Sequence, residues 1–330
     1  MNLTTNYLGL KLENPLVVGA SPFCDNTAAA RQLQDAGAAA IVMRSLFEEQ
    51  IDAEQRALIY QVETTAESSA EATSYFPGYS EYQLTPDNYL RQIEHLKTSL
   101  TIPVIASLNG CRPGGWTDYA QRFEKAGADA VELNLYQLVT DRAVAGDQIE
   151  ADMLETVASV VRAVKIPVSV KLSPFHTSPA NFVAELESVG AKGVVIFNRF
   201  YQPDFNIEDL EVQPQLRLSD PSELLLRLRW LAILSPQMRS SLAVSGGVHS
   251  TEDIVKAVLA GAHAVQLVSV LLRNGPRILT TLVEGLKQWS TEHGYENMDQ
   301  VRGALNLGRC PDPSAFERAN YIKILQSWRV

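Results

Sequence analysis

Four stretches of the chain share one pattern of apolar and polar positions. DAGAAAIVMRS, KAGADAVELNL, SVGAKGVVIFN and LAGAHAVQLVS each close an amphipathic helix, pass through Gly-Ala and enter an apolar strand. Their glycines, Gly37, Gly127, Gly190 and Gly261, suit the position just past a helix C-terminus. Between them lie apolar runs with a different lead-in. ENPLVVGAS, TIPVIASLN and KIPVSVKLS carry a proline before the strand, and SSLAVSGG fills the fourth such slot without one. The alternation predicts eight strands, near 16–21, 39–45, 104–109, 129–135, 168–173, 193–199, 242–247 and 264–269. Strands of two alternating kinds with helices between them read as an α/β fold, a (β/α)8 TIM barrel built from two-unit repeats. A doubly wound open sheet is the competing architecture and explains the even spacing less well.

The remaining segments decorate that barrel. Leu3–Leu12 alternates around Tyr7-Leu8-Gly9 and predicts an N-terminal hairpin closing the barrel floor. Leu46 to Pro86 and Phe200 to Pro221 are too long for simple connections. Both follow strand ends, which makes them lids, substrate walls or a dimer surface. Met298 to Val330 reads as a helical C-terminal appendage. Residues 1–330 are expected to form one domain.

Composition narrows the function by exclusion. Net charge is −10 over 330 residues, with no cluster of Lys and Arg, which argues against nucleic acid and anionic membrane surfaces. The three cysteines, Cys24, Cys111 and Cys310, stand too far apart for a metal pattern or a disulfide framework. Reduced thiols and a cytoplasmic location are expected. The first residues lack a basic, apolar leader, and no segment is apolar enough to span a bilayer.

Barrel chemistry sits at the C-terminal ends of the strands. Those ends read Ala20-Ser21, Arg44-Ser45, Asn109, Asn134, Lys171, Asn198, Gly246-Gly247 and Ser269. The set lacks a carboxylate pair, a histidine cluster and any metal-ligand spacing, so glycosidase and metallohydrolase chemistry fall away. Asparagines offer donors and acceptors to a planar heterocycle. Ser245-Gly246-Gly247 and Ser269 end adjacent strands and can present bare backbone to a phosphate. A lysine at the end of a buried strand needs an anionic or electron-rich partner. A phosphorylated, ring-containing cofactor across the mouth satisfies all three, and flavin mononucleotide (FMN) fits. The alternative for Lys171 is an internal ion pair with Asp129 or Glu132.

Over nearly its whole length the chain resembles the dihydroorotate dehydrogenase family, in its soluble class 1 form. The resemblance rests on the hairpin into NPLVVGAS, the strand ending MRS, the SYFPGY loop, VELNL, VSVKLSPF, the strand ending in Asn198, and AVSGGV with QLVSVL. It implies an FMN-dependent barrel, commonly a homodimer. The chemistry implied is oxidation of a CH–CH bond in pyrimidine biosynthesis, by removal of a proton and transfer of a hydride to the flavin. It further implies that Ala20 and Ser21 border the flavin. Asn134, Lys171 and Asn198 would touch flavin and substrate, and Gly246, Gly247 and Ser269 would hold the phosphate.

The departures are specific. After VELNL the family reads Ser-Cys-Pro-Asn, with the cysteine as base. This chain reads Tyr136-Gln137-Leu138-Val139, and an amide has no usable pKa. Two further substrate asparagines fall on Val139 and near Ala72. Arg44 replaces a lysine, and QPQLRLSDPSELL replaces a glycine-rich phosphate stretch. The flavin half of the site thus survives better than the orotate half, and a small planar substrate other than dihydroorotate is expected. Tyr136, Thr140, Asp141 and His176 lie within loop reach as replacement bases. Cys24, after the first strand end, either borders the flavin or merely packs. Two other readings stay open: a catalytically impaired flavin-binding paralogue that acts through protein contacts, and an isomerase or aldolase of a phosphorylated substrate with Lys171 as its amine. No iron–sulfur cysteine run is present, so any electron-transfer partner, a separate acceptor or donor, is not encoded in this sequence.

Overall fold

The structure is a computed structural model that describes residues 1–51, 85–110, 116–199, 201–318 and 320–327. At its floor, β1 (Thr5–Tyr7) and β2 (Leu10–Leu12) form the expected antiparallel hairpin. The barrel strands are β3 (Leu16–Val18), β4 (Ala40–Val42) with β5 (Leu46–Phe47), β6 (Val104–Gly110), β7 (Ala130–Leu135) and β8 (Val168–Leu172), followed by β9 (Gly193–Ile196). After β10 (Asp204–Asn206) and β11 (Glu211–Gln213) come the last two, β12 (Ser241–Ser245) and β13 (Ala264–Leu267). All barrel pairings are parallel, and β13 pairs with β3 through Val265↔Leu16, so the sheet closes. An open doubly wound sheet is thereby excluded. The chain forms a (β/α)8 TIM barrel.

The second barrel strand is interrupted. β4 pairs with the start of β6 (Ile41↔Val104, Val42↔Ile105), and β5 pairs with its end (Leu46↔Leu108, Phe47↔Asn109). Four steps along one strand oppose three along the other, which is a bulge. It falls at Met43–Ser45 and turns Arg44 and Ser45 toward the mouth.

The helices pack outside, and their ends show why the sequence repeat works. Asn26 caps α1 (Thr27–Asp35), its Oδ1 accepting from the Ala28 amide at 2.8 Å. Gly37, Gly127, Gly190 and Gly261 all have positive φ, the conformation that reverses a helix into the next strand. One apolar core lies between the sheet and its helices. A second lies inside the barrel, where Ala40, Ala130, Ala243 and Ala264 leave room for Tyr7 and Leu8 from the hairpin. Gly193 completes that fit, because a Cβ there would stand 2.4 Å from Leu8 Cδ2.

The long connections behave differently from one another. Most of the first lies outside the described residues, with Ala72 and the SYFPGY loop; so do Cys111 and the Gly114-Gly115 pair. The second is more than a loop. Its β10–β11 hairpin projects Phe205, Ile207, Leu210 and Val212 into solvent. In the C-terminal appendage, Leu305 and Leu307 dock by backbone hydrogen bonds on Leu259 and Ala232. A final helix, Asn320–Gln326, has no buried residue. No helix among the described residues is long and apolar enough to cross a membrane.

Candidate active site

Strand register builds the site. Asn109, Asn134 and Lys171 are direct neighbours on β6, β7 and β8, so their side chains stand in one row facing inward. One layer deeper, Ser107, Glu132 and Ser169 form a second row on the same strands. A charged glutamate buried completely would be costly alone. Glu132 is paired instead: its Oε1 lies 3.4 Å from Lys171 Nζ, and its Oε2 accepts from Gln266 Nε2 at 2.5 Å. Lys171 also donates to Gln266 Oε1 at 3.0 Å. The three side chains close a ring across the barrel, and Lys171 and Gln266 are the members of it that reach the mouth cavity. Asp129, the other expected partner, pairs with Lys97 on the outside at 2.7 Å.

Asn134 is held as firmly. Its Nδ2 donates to Ser45 Oγ and Ser107 Oγ, each at 2.9 Å, and the two hydroxyls are 2.8 Å apart. Tyr89 Oη accepts from the Ser107 amide at 2.8 Å and fixes that strand from behind. With Nδ2 engaged, the Asn134 carbonyl is the group left to face a ligand. Arg44 pairs with Asp25 at 2.8 Å. Burial raises the Asp25 carboxyl, and Arg44 opposes that shift.

These elements surround one cavity of about 370 Å³. Ala20, Ser21, Arg44, Asn109, Asn134 and Lys171 line it on one side; Asn198, Gly246, Gly247 and Ser269 line it on the other. The volume suits a small molecule or cofactor, for which about 300–1,000 Å³ is usual. Arg44, Lys171 and Arg199 face it, and no Asp, Glu, His or Cys stands among the described lining residues. The lining favours an anion although the chain as a whole is acidic. Ser21 Oγ is buried there beside the Cys24 thiol and makes no hydrogen bond of ordinary geometry.

The glycine turn is shaped by contacts within the protein. Gly246 and Gly247 have positive φ, and their closest neighbours belong to the protein. A Cβ on Gly247 would lie 2.4 Å from the Leu224 amide nitrogen, and one on Gly246 would lie 2.8 Å from the buried Arg227 guanidinium. Arg227 donates to the carbonyls of Ser245 (2.5 Å) and Glu223 (2.6 Å), tying the turn to the helix Leu224–Leu234. Ser219 already touches both cradle members. Its Oγ accepts from the Gly247 amide at 3.3 Å, and its amide donates to Ser269 Oγ at 3.0 Å.

Gln137 is exposed and is not part of the cavity wall; Tyr136 lines it instead. The strand ends at Leu135, and the chain then turns outward. Thr140, Asp141 and Arg142 are likewise solvent-exposed, with Asp141 Oδ1 accepting from the Ala143 amide. His176 packs 4.4 Å above Phe182 and meets Glu150 at 3.2 Å, a structural setting. Burial and then the Asp25 charge push the Cys24 thiol up to about 12, so it supplies no thiolate at neutral pH. Sequence reasoning missed Gln266, Asp25, Arg199 and Ser219. A glutamine inside the apolar run AVQLV was a readable signal for the first; the others depend on loop geometry.

The comparisons agree with the geometry. The family model for dihydroorotate dehydrogenase matches residues 2–289. An Aeropyrum pernix protein named as a dihydroorotate dehydrogenase A (fumarate) is 30% identical over 213 residues, covering 62% of this chain and 67% of the relative. The dihydroorotate dehydrogenase B (NAD(+)) catalytic subunit of Methanothermobacter thermautotrophicus is 24% identical over 91% of this chain and 97% of its own. That of Methanosarcina acetivorans is 26% identical over 90% and 94%. A closed barrel, this cavity and a match spanning most of its length place the chain in the dihydroorotate dehydrogenase family.

Proposed function

We propose that the protein is an FMN-dependent oxidoreductase acting on a CH–CH bond of a small planar substrate other than dihydroorotate. The observation that carries this reading is the single cavity on which the Asn109–Asn134–Lys171 row, the buried Ser21 hydroxyl and the Gly247–Ser269 corner converge. The residues fit the flavin. Ser21 Oγ would meet a polar ring edge, and Ala20, Asn109, Asn134 and Asn198 would border the ring. Ser269 and Gly247 would hold the phosphate, with Ser219 shifting its two hydrogen bonds to admit it. When bound, the flavin supplies the two-electron acceptor. Lys171 offers a donor oriented by Glu132 and Gln266, and Asn134 presents its carbonyl to the ligand. The same ring engages the Lys171 amine, which counts against a Schiff-base aldolase.

The substrate half of the proposal rests on what lines the wall. No described lining residue is a cysteine, histidine or carboxylate, and the amide at position 137 cannot accept the proton. That same observation supports the second reading, a flavin-binding paralogue without dehydrogenase chemistry. An absorption spectrum and anaerobic titration separate them. Flavin bands that persist with dihydroorotate but bleach with another dihydro-heterocycle are expected. Bleaching by dihydroorotate at a rate typical of enzymes would overturn the substrate proposal. A colourless protein that takes up no FMN would overturn the cofactor.

A further inference from the structure

A second cavity, of about 410 Å³, lies at the opposite end of the barrel and has no part in the reaction proposed above. It opens where β12 and β13 begin, with Ser240 and His263 on one wall and Arg302 and Asn306 of the C-terminal segment on the other. Its chemistry is one-sided. Arg239, Arg302 and Arg309 line it, and no Asp or Glu does, in a chain of net charge −10. Arg302 is partly satisfied by Asp299 and by Thr5 Oγ1 at 3.3 Å. Arg239 and Arg309 have no ion-pair partner among the described residues. Glu187, the nearest carboxylate to Arg239 in the hydrogen-bond network, accepts from the backbone amides of Arg239 and Ser240.

The neutral groups add donors. His263 Nδ1 accepts from the Leu242 amide at 3.1 Å, which places the hydrogen of the neutral ring on Nε2. No described protein group accepts from that Nε2. Asn306 is buried and spent on the wall itself, bonding Ser235 Oγ and the Gly308 amide at 3.1 Å each. The side-chain groups left over on this wall are therefore the arginine N–H groups and the His263 Nε2–H, all donors. Of the three arginines on the wall only Arg302 has a carboxylate partner, Asp299, so the cavity carries an excess of cation, and the planar forks of Arg239 and Arg309 match a phosphate. We propose that this cavity binds the phosphate group of a small phosphorylated metabolite, at a site separate from the mouth. Because Arg302 touches Thr5 of the floor hairpin, such a ligand would also brace the plug of the barrel.

Calorimetry on the full chain tests this, with inorganic pyrophosphate as probe and KCl holding ionic strength constant. With the mouth saturated by FMN, one equivalent is expected to bind. The double variant Arg239→Gln/Arg309→Gln, at two exposed positions that leave the fold intact, should weaken it on the order of a hundredfold, at about tenfold per charge-assisted contact. Arg44→Gln in the mouth should leave it unchanged. Three results overturn the proposal: no binding by the parent chain at millimolar probe, equal binding by the double variant, or loss in Arg44→Gln alone.

Discussion

The two ends of the barrel interior solve opposite problems. At the floor small residues, Ala40, Ala130, Ala243, Ala264 and Gly193, stand beside Val17, Ile105 and Val195, and the space they leave is filled by Tyr7 and Leu8 from outside the barrel. At the mouth the inward positions are serine, asparagine, glutamate, lysine and glutamine, and the space is left open. The floor therefore draws on burial of apolar area, which is stable and needs no direction. The mouth depends on a directed polar network, which is costly wherever a partner is missing. The boundary runs through the Ser107–Glu132–Ser169 layer, where a full charge is buried to orient Lys171.

That boundary is where the contrast breaks most easily. Glu132→Ala leaves the Lys171 ammonium buried and Gln266 Nε2 without its acceptor. A loss of about 3–5 kcal/mol is expected, the range for removing one partner of a buried pair. Urea denaturation measures it. Glu132→Gln keeps the acceptor for Gln266 and should lose less. Equal, small losses in both variants would mean that the charge is incidental and the ring is held by hydrogen bonds alone.

How much of this was legible in the sequence follows the same division. Strand positions and inward faces were readable, because helix, Gly-Ala and strand repeat with local signals. The residues at the strand ends were readable for that reason too, and they do line one cavity. The Glu132–Lys171–Gln266 ring was only half visible, since Gln266 meets Glu132 across the barrel and that meeting depends on register and closure. The segment of the β10–β11 hairpin reads as a lid, substrate wall or dimer surface, and its pairing is hidden because its strands are three residues each and carry exposed apolar side chains. Position 137 follows from the resemblance after VELNL, and a motif does not say that the chain turns outward after Leu135.

Protonation tests the floor end at a middle magnitude. Burial, and next the Arg302 charge, pull the His263 imidazole down to about 4. Below its ordinary value of about 6.5, the unfolded chain takes up a proton that the folded chain refuses until about 4. This contribution to stability is therefore complete above about pH 6.5 and is lost as pH falls toward 4, by on the order of 2 kcal/mol once partial exposure is discounted. His263→Asn should flatten that stretch of the stability–pH curve. An unchanged slope would assign it to carboxylates elsewhere.

The smallest effect sharpens the contrast most. Each end holds one buried hydroxyl that makes no hydrogen bond of ordinary geometry: Ser21 Oγ at the mouth, beside the Cys24 thiol, and Tyr7 Oη at the floor, beside Ser169. Ser21 lines the cavity, so a ligand can satisfy it; Tyr7 is fully enclosed, with its phenol pushed well above the ordinary range by burial and then by the Glu132 charge. Removing an unsatisfied buried hydroxyl relieves a desolvation cost, about 1 kcal/mol where no bond is lost. Tyr7→Phe should therefore match or exceed the parent in stability and leave flavin content alone. Ser21→Ala should match the parent in stability without flavin and retain less flavin through gel filtration. If Tyr7→Phe is destabilised by more than about 1 kcal/mol, its hydroxyl is bonded in solution, and the floor shares the mouth's dependence on polar partners.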